Sequence, residues 1–196
     1  MTTLKAKSVL EAALLCAQEP LSIAALRRVF DQDLDADAIR AMLAELQVDW
    51  NERGLELAPV ATGWRFQSRL CVQTYLARLN PEKPPKYARA FMETLAIIAY
   101  KQPVTRGDIE DIRGVTVATQ VIRSLEERDW IDIIGHRDTP GRPALFATTK
   151  TFLNDLGLQS LDQLLPPIEP GAANGFTTAL EQKVIDFAPI ESPSPA

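Results

Sequence analysis

The chain has 196 residues, and its 21 lysine and arginine residues against 26 aspartate and glutamate residues give a formal net charge of -5. A net negative charge argues against binding dominated by contacts to nucleic-acid phosphates, because such binding needs clustered positive charge. Apolar residues make up 46% and charged residues 24% of the chain, which indicates a packed core and excludes a chain that is disordered throughout.

Residues 1–79 are predicted to form three helices followed by a β-hairpin. The first helix is apolar and ends before Pro20, and Ser22 is placed to cap the second helix by accepting a hydrogen bond from its first turn. The third helix spans residues 35–51, after which the hydrophobic period changes from helical to alternating around a turn at Thr62-Gly63. Three helices and a two-stranded hairpin form a helix-turn-helix with a wing.

A proline-rich segment, residues 80–86, separates this unit from a second one of the same design. We predict that it is a linker, because proline lacks the amide donor that a helix needs. Residues 87–165 repeat the first unit at an offset of 83 residues, with Thr105 in the place of Ser22. Thr105 and Asp108 have the spacing of a capping box at the start of the second helix.

The last segment, residues 166–196, contains one basic and four acidic residues and is rich in proline. This composition predicts a tail that is mostly disordered. Four of its apolar residues are spaced as on one face of a short helix, which leaves docking on a partner, packing on its own chain or no helix open: Phe176, Leu180, Val184 and Phe187. The predicted fold class is mainly α with small β-hairpins (α+β), with tandem winged-helix domains and a disordered C-terminal tail.

Metal, disulfide and common catalytic signatures are missing from the sequence. The chain has two cysteines, Cys16 and Cys71, and one histidine, His136, so it cannot supply a four-cysteine zinc site or a two-histidine cluster. It has no phosphate-binding glycine loop, dinucleotide fingerprint or metalloprotease helix. No segment approaches the roughly 18 uncharged apolar residues of a membrane span. We predict a cytoplasmic protein that is neither an enzyme nor a membrane protein and that uses no cofactor.

A helix-turn-helix also suggests a DNA-binding transcriptional regulator, because the third helix of such a unit commonly enters the major groove. The charges of the two third helices argue against it. Residues 35–51 contain Arg40 against four acidic residues, and residues 116–130 contain Arg123 and Arg128 against three. Acidic side chains there would face phosphates at a cost, so we expect DNA contact to be indirect or weak.

Two stretches of the second unit resemble the signature of bacterial segregation and condensation protein B. They are ETLAIIAYKQPVTR followed by DIEDIRGV, within residues 93–115, and PGRPALFATT, residues 140–149. The resemblance covers most of residues 93–165, whereas residues 1–79 fit through domain order and helix pattern only. The sequence departs from the family pattern at four positions, with other residues expected there: His136, Phe146, Ala147 and Leu156.

The resemblance implies a non-enzymatic subunit of the bacterial SMC–kleisin condensin complex. Proteins of this family form homodimers, chiefly through the N-terminal domain, and bind the kleisin subunit, segregation and condensation protein A. The kleisin in turn links them to the SMC ATPase. A nucleoid-associated, cytoplasmic location and a role in chromosome condensation and segregation during cell division follow from the same resemblance.

Two sets of side chains are candidates for these contacts. Arginine and tyrosine are frequent at interface hot spots, and caps and core do not account for the kleisin-contact candidates Tyr100, Gln102, Arg106, Arg113 and Arg142. The homodimer candidates are apolar residues beyond those that one three-helix unit is expected to bury: Leu4, Val9, Leu26, Val29 and Phe30.

Overall fold

A computed structural model describes residues 3–79 and 87–164 of the chain, without the side chains of residues 3, 4 and 74. The described residues form two compact units, one on either side of residues 80–86. The predictions for the linker, residues 80–86, and for the tail, residues 166–196, lie outside the described residues.

The first unit is built from four helices and one hairpin. In chain order these are α1 (Thr3–Cys16), α2 (Ile23–Arg28), α3 (Ala36–Asp49), β1 (Leu55–Val60), β2 (Gly63–Ser68) and α4 (Leu70–Leu76). The Ser22 hydroxyl caps α2 by accepting from the Ala25 amide at 3.1 Å, which confirms the predicted cap. Strands β1 and β2 are antiparallel, with Leu57 opposite Phe66. Three helices and a wing thus precede α4.

The second unit has the same order of elements. It consists of α5 (Arg89–Lys101), α6 (Arg106–Arg113), α7 (Thr119–Glu127), β3 (Ile131–His136), β4 (Ala144–Thr148), α8 (Lys150–Asp155) and a short 3₁₀ helix (Leu161–Gln163). The predicted capping box is present at α6, where Thr105 Oγ1 accepts from the Asp108 amide and Asp108 Oδ2 accepts from the Thr105 amide. The prediction of tandem winged-helix domains in an α+β fold is confirmed.

The internal repeat includes a short β-bridge in each unit, which pairs the segment between the first two helices with the second strand of the wing. Leu21 pairs with Trp64 in the first unit, and Val104 pairs with Phe146 in the second, each through two backbone hydrogen bonds. In the first unit the chains approach so closely that a Cβ on Gly63 would lie 2.3 Å from the Leu21 carbonyl oxygen. Only glycine fits this position. Gly63 therefore allows the wing to pack directly against the segment between α1 and α2.

Each unit has its own hydrophobic core. The first core is formed by α1, α2, α3 and β1, and its buried side chains include Leu10, Leu26, Phe30, Ile39, Leu43 and Leu46. The second is centred on α5 and is richer in aromatic residues, among them Phe91, Trp130 and Phe152. No helix within residues 3–79 and 87–164 is long and apolar enough to cross a bilayer.

Candidate interaction surfaces

Gln102 lies at the end of α5 and joins this helix to the wing. Its side-chain oxygen accepts from the Thr148 amide at 2.5 Å and from the Thr148 hydroxyl at 3.0 Å. Neighbouring Tyr100 is half-buried, and burial raises the pKa of its phenol. Both predicted contact residues therefore lie at the junction of α5 and β4, where Gln102 is already engaged within its own unit.

Arg106 clamps the turn between α6 and α7. Its guanidinium donates to Glu110 at 3.0 Å, to the Thr119 hydroxyl at 3.3 Å and to the carbonyl oxygen of Val117. Glu110 also accepts from the Val117 amide at 2.9 Å, and this backbone hydrogen bond, followed by the one from Arg106, lowers the pKa of Glu110. The Arg106 side chain stays 46% exposed, so it could hold the turn and still border a partner.

Arg113 does not lie on the surface where a kleisin contact requires it. Its side chain is only 6% exposed and donates through Nε and Nη2 to one Glu93 carboxylate oxygen, at 3.2 and 3.1 Å. Glu93 is 13% exposed and also accepts from Arg89 at 2.7 Å. Burial raises the pKa of Glu93, but the two arginines outweigh it and lower the pKa overall. Arg113 therefore neutralises a carboxylate inside its own unit, and its contact with the kleisin stays a prediction.

The wing carries two arginines with different surroundings. Arg142 is exposed at its tip, with φ of 39° beside Gly141 at 84°. Arg137 instead forms two hydrogen bonds to the Asp108 carboxylate, at 2.9 and 2.7 Å, and ties the wing to the start of α6. Hydrogen bonds from Arg137 and then from the Thr105 amide lower the pKa of Asp108 to about 2. Arg142 is therefore the wing arginine that is available to a partner.

The second unit also exposes large apolar side chains that were not among the predicted contacts. Ile112 and Val115, on either side of the left-handed Gly114 cap of α6, are 44% and 56% exposed. On β3, Ile133 is 43% and Ile134 is 60% exposed. The sequence contained a signal for one member of the second pair, since adjacent residues of a regular strand point to opposite faces. The register of β3 shifts between Ile133 and Gly135, and both isoleucines are exposed.

The structure corrects the predicted homodimer contacts. Leu26 is fully buried and Phe30 is 6% exposed, so both belong to the core of their own unit and cannot form a surface in the folded protein. Val9 is half-buried and packs against the same core, whereas Val29 is 45% exposed. The Leu4 side chain lies outside the described residues. Leu26 on α2 and Phe30 in the turn after α2 face inward, whereas Val29, the C-cap of α2, faces solvent.

Exposed apolar side chains of the first unit also lie at its last helix. Four large side chains at or just after α4 are 44–76% exposed: Leu70, Tyr75, Leu76 and Leu79. We call this set the α4 face. Two of its members, Leu70 and Leu76, begin and end a helix of only seven residues.

The third helix of each unit presents acidic side chains to solvent. On α3, Glu45 and Asp49 are both exposed, and Lys7 bridges them at 3.0 and 2.7 Å. On α7, Arg123 is exposed together with Glu126 and Glu127. Neither helix offers the basic face that major-groove binding requires. Among the described residues, no group of three or more histidine, cysteine, aspartate or glutamate residues could hold a metal ion.

Comparison with known proteins gives consistent matches over most of the chain. A family model described as segregation and condensation complex subunit ScpB matches residues 8–167. A segregation and condensation protein B homolog of Coxiella burnetii is 47% identical over 171 residues, covering 86% of this chain and 81% of the relative. The segregation and condensation protein B of Desulforamulus reducens is 42% identical over 173 residues, which cover 87% of this chain and 93% of the relative. The ScpB of Mycobacterium tuberculosis, known from a crystal structure, has 34% sequence identity to this chain. The match covers 81% of this chain and 98% of the M. tuberculosis chain, with a TM-score of 0.38.

Proposed function

Because the chain belongs to the family of the segregation and condensation complex subunit ScpB, we propose that it is a homodimeric, non-enzymatic adaptor that binds the kleisin of that complex. Family membership confirms the resemblance seen in residues 93–165 and gives the chain a role in the chromosome segregation and condensation complex. The adaptor would work in the cytoplasm, at the nucleoid, and reach the SMC ATPase through the kleisin.

The second unit is the proposed kleisin-binding part of the adaptor. The observation that carries this assignment is the exposure of Ile133 and Ile134, 43% and 60%, side by side on β3. Adjacent exposed isoleucines on a wing are costly in water, and burial against a partner would recover about 25 cal/mol for each Å² of apolar surface. Arg142 and Tyr100 remain contact candidates, the former at the exposed wing tip.

The other three predicted contacts fit a positioning role better. Gln102 holds β4, Arg106 holds the turn before α7, and Arg113 neutralises Glu93. Each of these side chains forms hydrogen bonds inside the unit. In the proposed adaptor they fix the backbone on which the exposed residues lie.

The experiment is light scattering on a sizing column, with the purified protein alone and with the kleisin from the same genome. The proposal expects a dimer that shifts to a larger mass with kleisin, and a kleisin dissociation constant that rises about thirtyfold or more in Ile134→Glu, since a charge replaces an apolar contact. His136→Glu, also exposed and on the same strand, is the matched control and should bind normally. A protein that ignores the kleisin would refute the adaptor.

The DNA-binding regulator is the weaker alternative. Its recognition helices would be α3 and α7, whose exposed faces carry Glu45, Asp49, Glu126 and Glu127. Binding that weakens steeply with added salt would support it, since each phosphate contact releases counterions. We expect no such binding by the chain alone and propose that DNA contact is indirect.

A further inference from the structure

Contacts at three places attach the wing of the second unit to the segment that runs from α5 into α6. Gln102 binds the end of β4 with its side chain, and Val104 pairs with the middle of the same strand. The third contact joins Arg137, directly after β3, to Asp108 in the first turn of α6. The first two contacts hold β4, whereas the third holds the outer end of β3.

The pair between Arg137 and Asp108 fixes direction as well as distance. Nη1 donates to Oδ1 at 2.9 Å and Nη2 donates to Oδ2 at 2.7 Å, so the guanidinium and the carboxylate meet through two parallel hydrogen bonds. Asp108 is itself held in place, because its Oδ2 also accepts from the Thr105 amide at 2.8 Å in the capping box. The wing is therefore attached to a side chain that the start of α6 keeps in one position.

Arg137 lies between the two groups of exposed side chains that are candidates for the kleisin contact. Before it in the chain are Ile133 and Ile134 on β3, and the register of β3 shifts just after Ile133. After it is the wing tip, where the Arg137 amide donates to the Pro143 carbonyl oxygen at 2.9 Å, next to Arg142. A contact that fixes Arg137 therefore helps to place both groups.

The first unit cannot form this pair, although it repeats the same elements. At the repeat offset of 83 residues, Ala25 takes the place of Asp108. The Ser22 hydroxyl still caps α2 by accepting from the Ala25 amide at 3.1 Å, so a cap at this position does not require the carboxylate. The Arg137–Asp108 pair is thus an addition to the unit that is proposed to bind the kleisin, rather than part of the shared winged-helix framework.

We infer that Arg137 and Asp108 are positioning residues for kleisin binding. Their pair holds the isoleucines of β3 and the wing tip in the binding arrangement before the kleisin arrives. A surface that is already ordered loses less conformational entropy on binding, which raises the affinity without a new contact. The inference rests on the proposed function and adds how the contact surface is prepared; neither residue has to touch the kleisin.

The substitution Asp108→Asn separates the pair from the cap. The asparagine oxygen can still accept from the Thr105 amide, but the side-chain NH₂ group then faces the Arg137 guanidinium, so two donors meet. Arg137→Gln removes the charge of the other partner. Asp111→Asn and Arg123→Gln are the matched controls, because they make the same changes of charge at exposed residues of the same unit.

The first test is a calorimetric titration of the full chain with the kleisin from the same genome, after circular dichroism has shown that each variant is folded. Asp108→Asn and Arg137→Gln should each raise the kleisin dissociation constant about tenfold, because the loosened wing must be ordered on binding. The double variant should bind like either single variant, since two residues that act through one contact are not additive. Both controls should bind like the wild type.

The second test measures hydrogen exchange in the free protein. The Arg137 and Arg142 amides donate to carbonyl oxygens within the wing, and they should exchange about tenfold faster or more in Asp108→Asn but not in Asp111→Asn. The slowest α5 amides open with the whole unit, so they report a loss of global stability separately. A role in stability alone would speed up the α5 amides and leave the kleisin affinity of the folded variants unchanged.

The outcomes separate this inference from the proposed function. Normal binding by both Asp108→Asn and Arg137→Gln, beside a wild type that binds the kleisin, would overturn the positioning role and leave the adaptor in place. Weaker binding in Arg137→Gln alone would mean that this arginine contacts the kleisin directly, which also overturns the pair. A wild type that does not bind the kleisin would refute the adaptor and, with it, this inference.

Discussion

Removing one partner of the buried ion pair between Arg113 and Glu93 should strongly destabilise the second unit. We consider the substitution Arg113→Met, which keeps the apolar stem but removes the charge. Glu93, 13% exposed, then loses two of its hydrogen bonds and keeps the one from Arg89, a side chain that is 74% exposed. The substitution leaves a largely buried carboxylate with a single, solvent-exposed partner.

The magnitude follows from the burial of both groups. Removing one partner of a buried pair costs about 3–5 kcal/mol, and the remaining bond from Arg89 places the expected loss near the lower end, about 3 kcal/mol. Since 1.4 kcal/mol corresponds to a factor of ten, the unfolded fraction should rise roughly a hundredfold. Arg142→Met is the matched control, because this wing-tip side chain is exposed and surface substitutions usually change stability by less than about 0.5 kcal/mol.

Hydrogen exchange of the α5 amides provides the assay, because it reports on the second unit separately from the first. The slowest α5 amides open with the whole unit, so their exchange should speed up about a hundredfold in Arg113→Met and stay unchanged in Arg142→Met. The double variant Glu93→Met with Arg113→Met should recover much of the loss, since a well-packed apolar pair can replace a buried ion pair. Unchanged α5 exchange in Arg113→Met would refute a structural role for this arginine.

Three further substitutions test other parts of the structure. The carboxyl of Asp108, with its pKa lowered from 3.8 to about 2, stabilises the fold above pH 3.8 and loses this effect as the pH falls through about 2; acid titration followed by circular dichroism should show this window in the wild type and not in Asp108→Asn. Gly63→Ala should destabilise the first unit by several kcal/mol in urea unfolding, because its Cβ would lie 2.3 Å from a carbonyl oxygen, while Gly54→Ala, with its nearest contact at 3.9 Å, should be tolerated. Leu26→Ala should cost about 2–5 kcal/mol in the same assay and Val29→Ala well under 1 kcal/mol, and equal losses would contradict the assignment of Leu26 to the core.

The elements of both units could be predicted because their signals are local. The Ser22 cap and the Thr105–Asp108 capping box depend on side chains and amides three residues apart, so the spacing in the sequence was sufficient. The change from helical to alternating apolar residues marked each wing for the same reason. Repetition of these signals in two segments of the chain predicted the tandem architecture, and the runs in residues 93–115 and 140–149 predicted the family.

The candidate contacts were predicted less well, because exposure depends on neighbours that are distant in the sequence. Arg113 meets Glu93 across 20 residues, and Arg137 meets Asp108 across 29. Helix α2 ends at Arg28, so no helical period extends to the following turn to show that Phe30 faces the core while Val29 faces solvent. The sequence therefore offered charged and apolar candidates without distinguishing the paired from the available ones.

The sequence by itself determined the two winged-helix units, their caps and the family, since each of these rests on spacings of a few residues or on contiguous motifs. Only the tertiary structure decided which side chains remain for a partner. Folding neutralised Arg113, engaged Gln102 and buried Leu26, and it left Arg142, the isoleucines of β3 and the α4 face in solvent. The physical reason is that an arginine pairs with a carboxylate, and an apolar side chain is buried, only where the fold brings suitable neighbours close in space. Those neighbours are set by the packing of whole helices and strands.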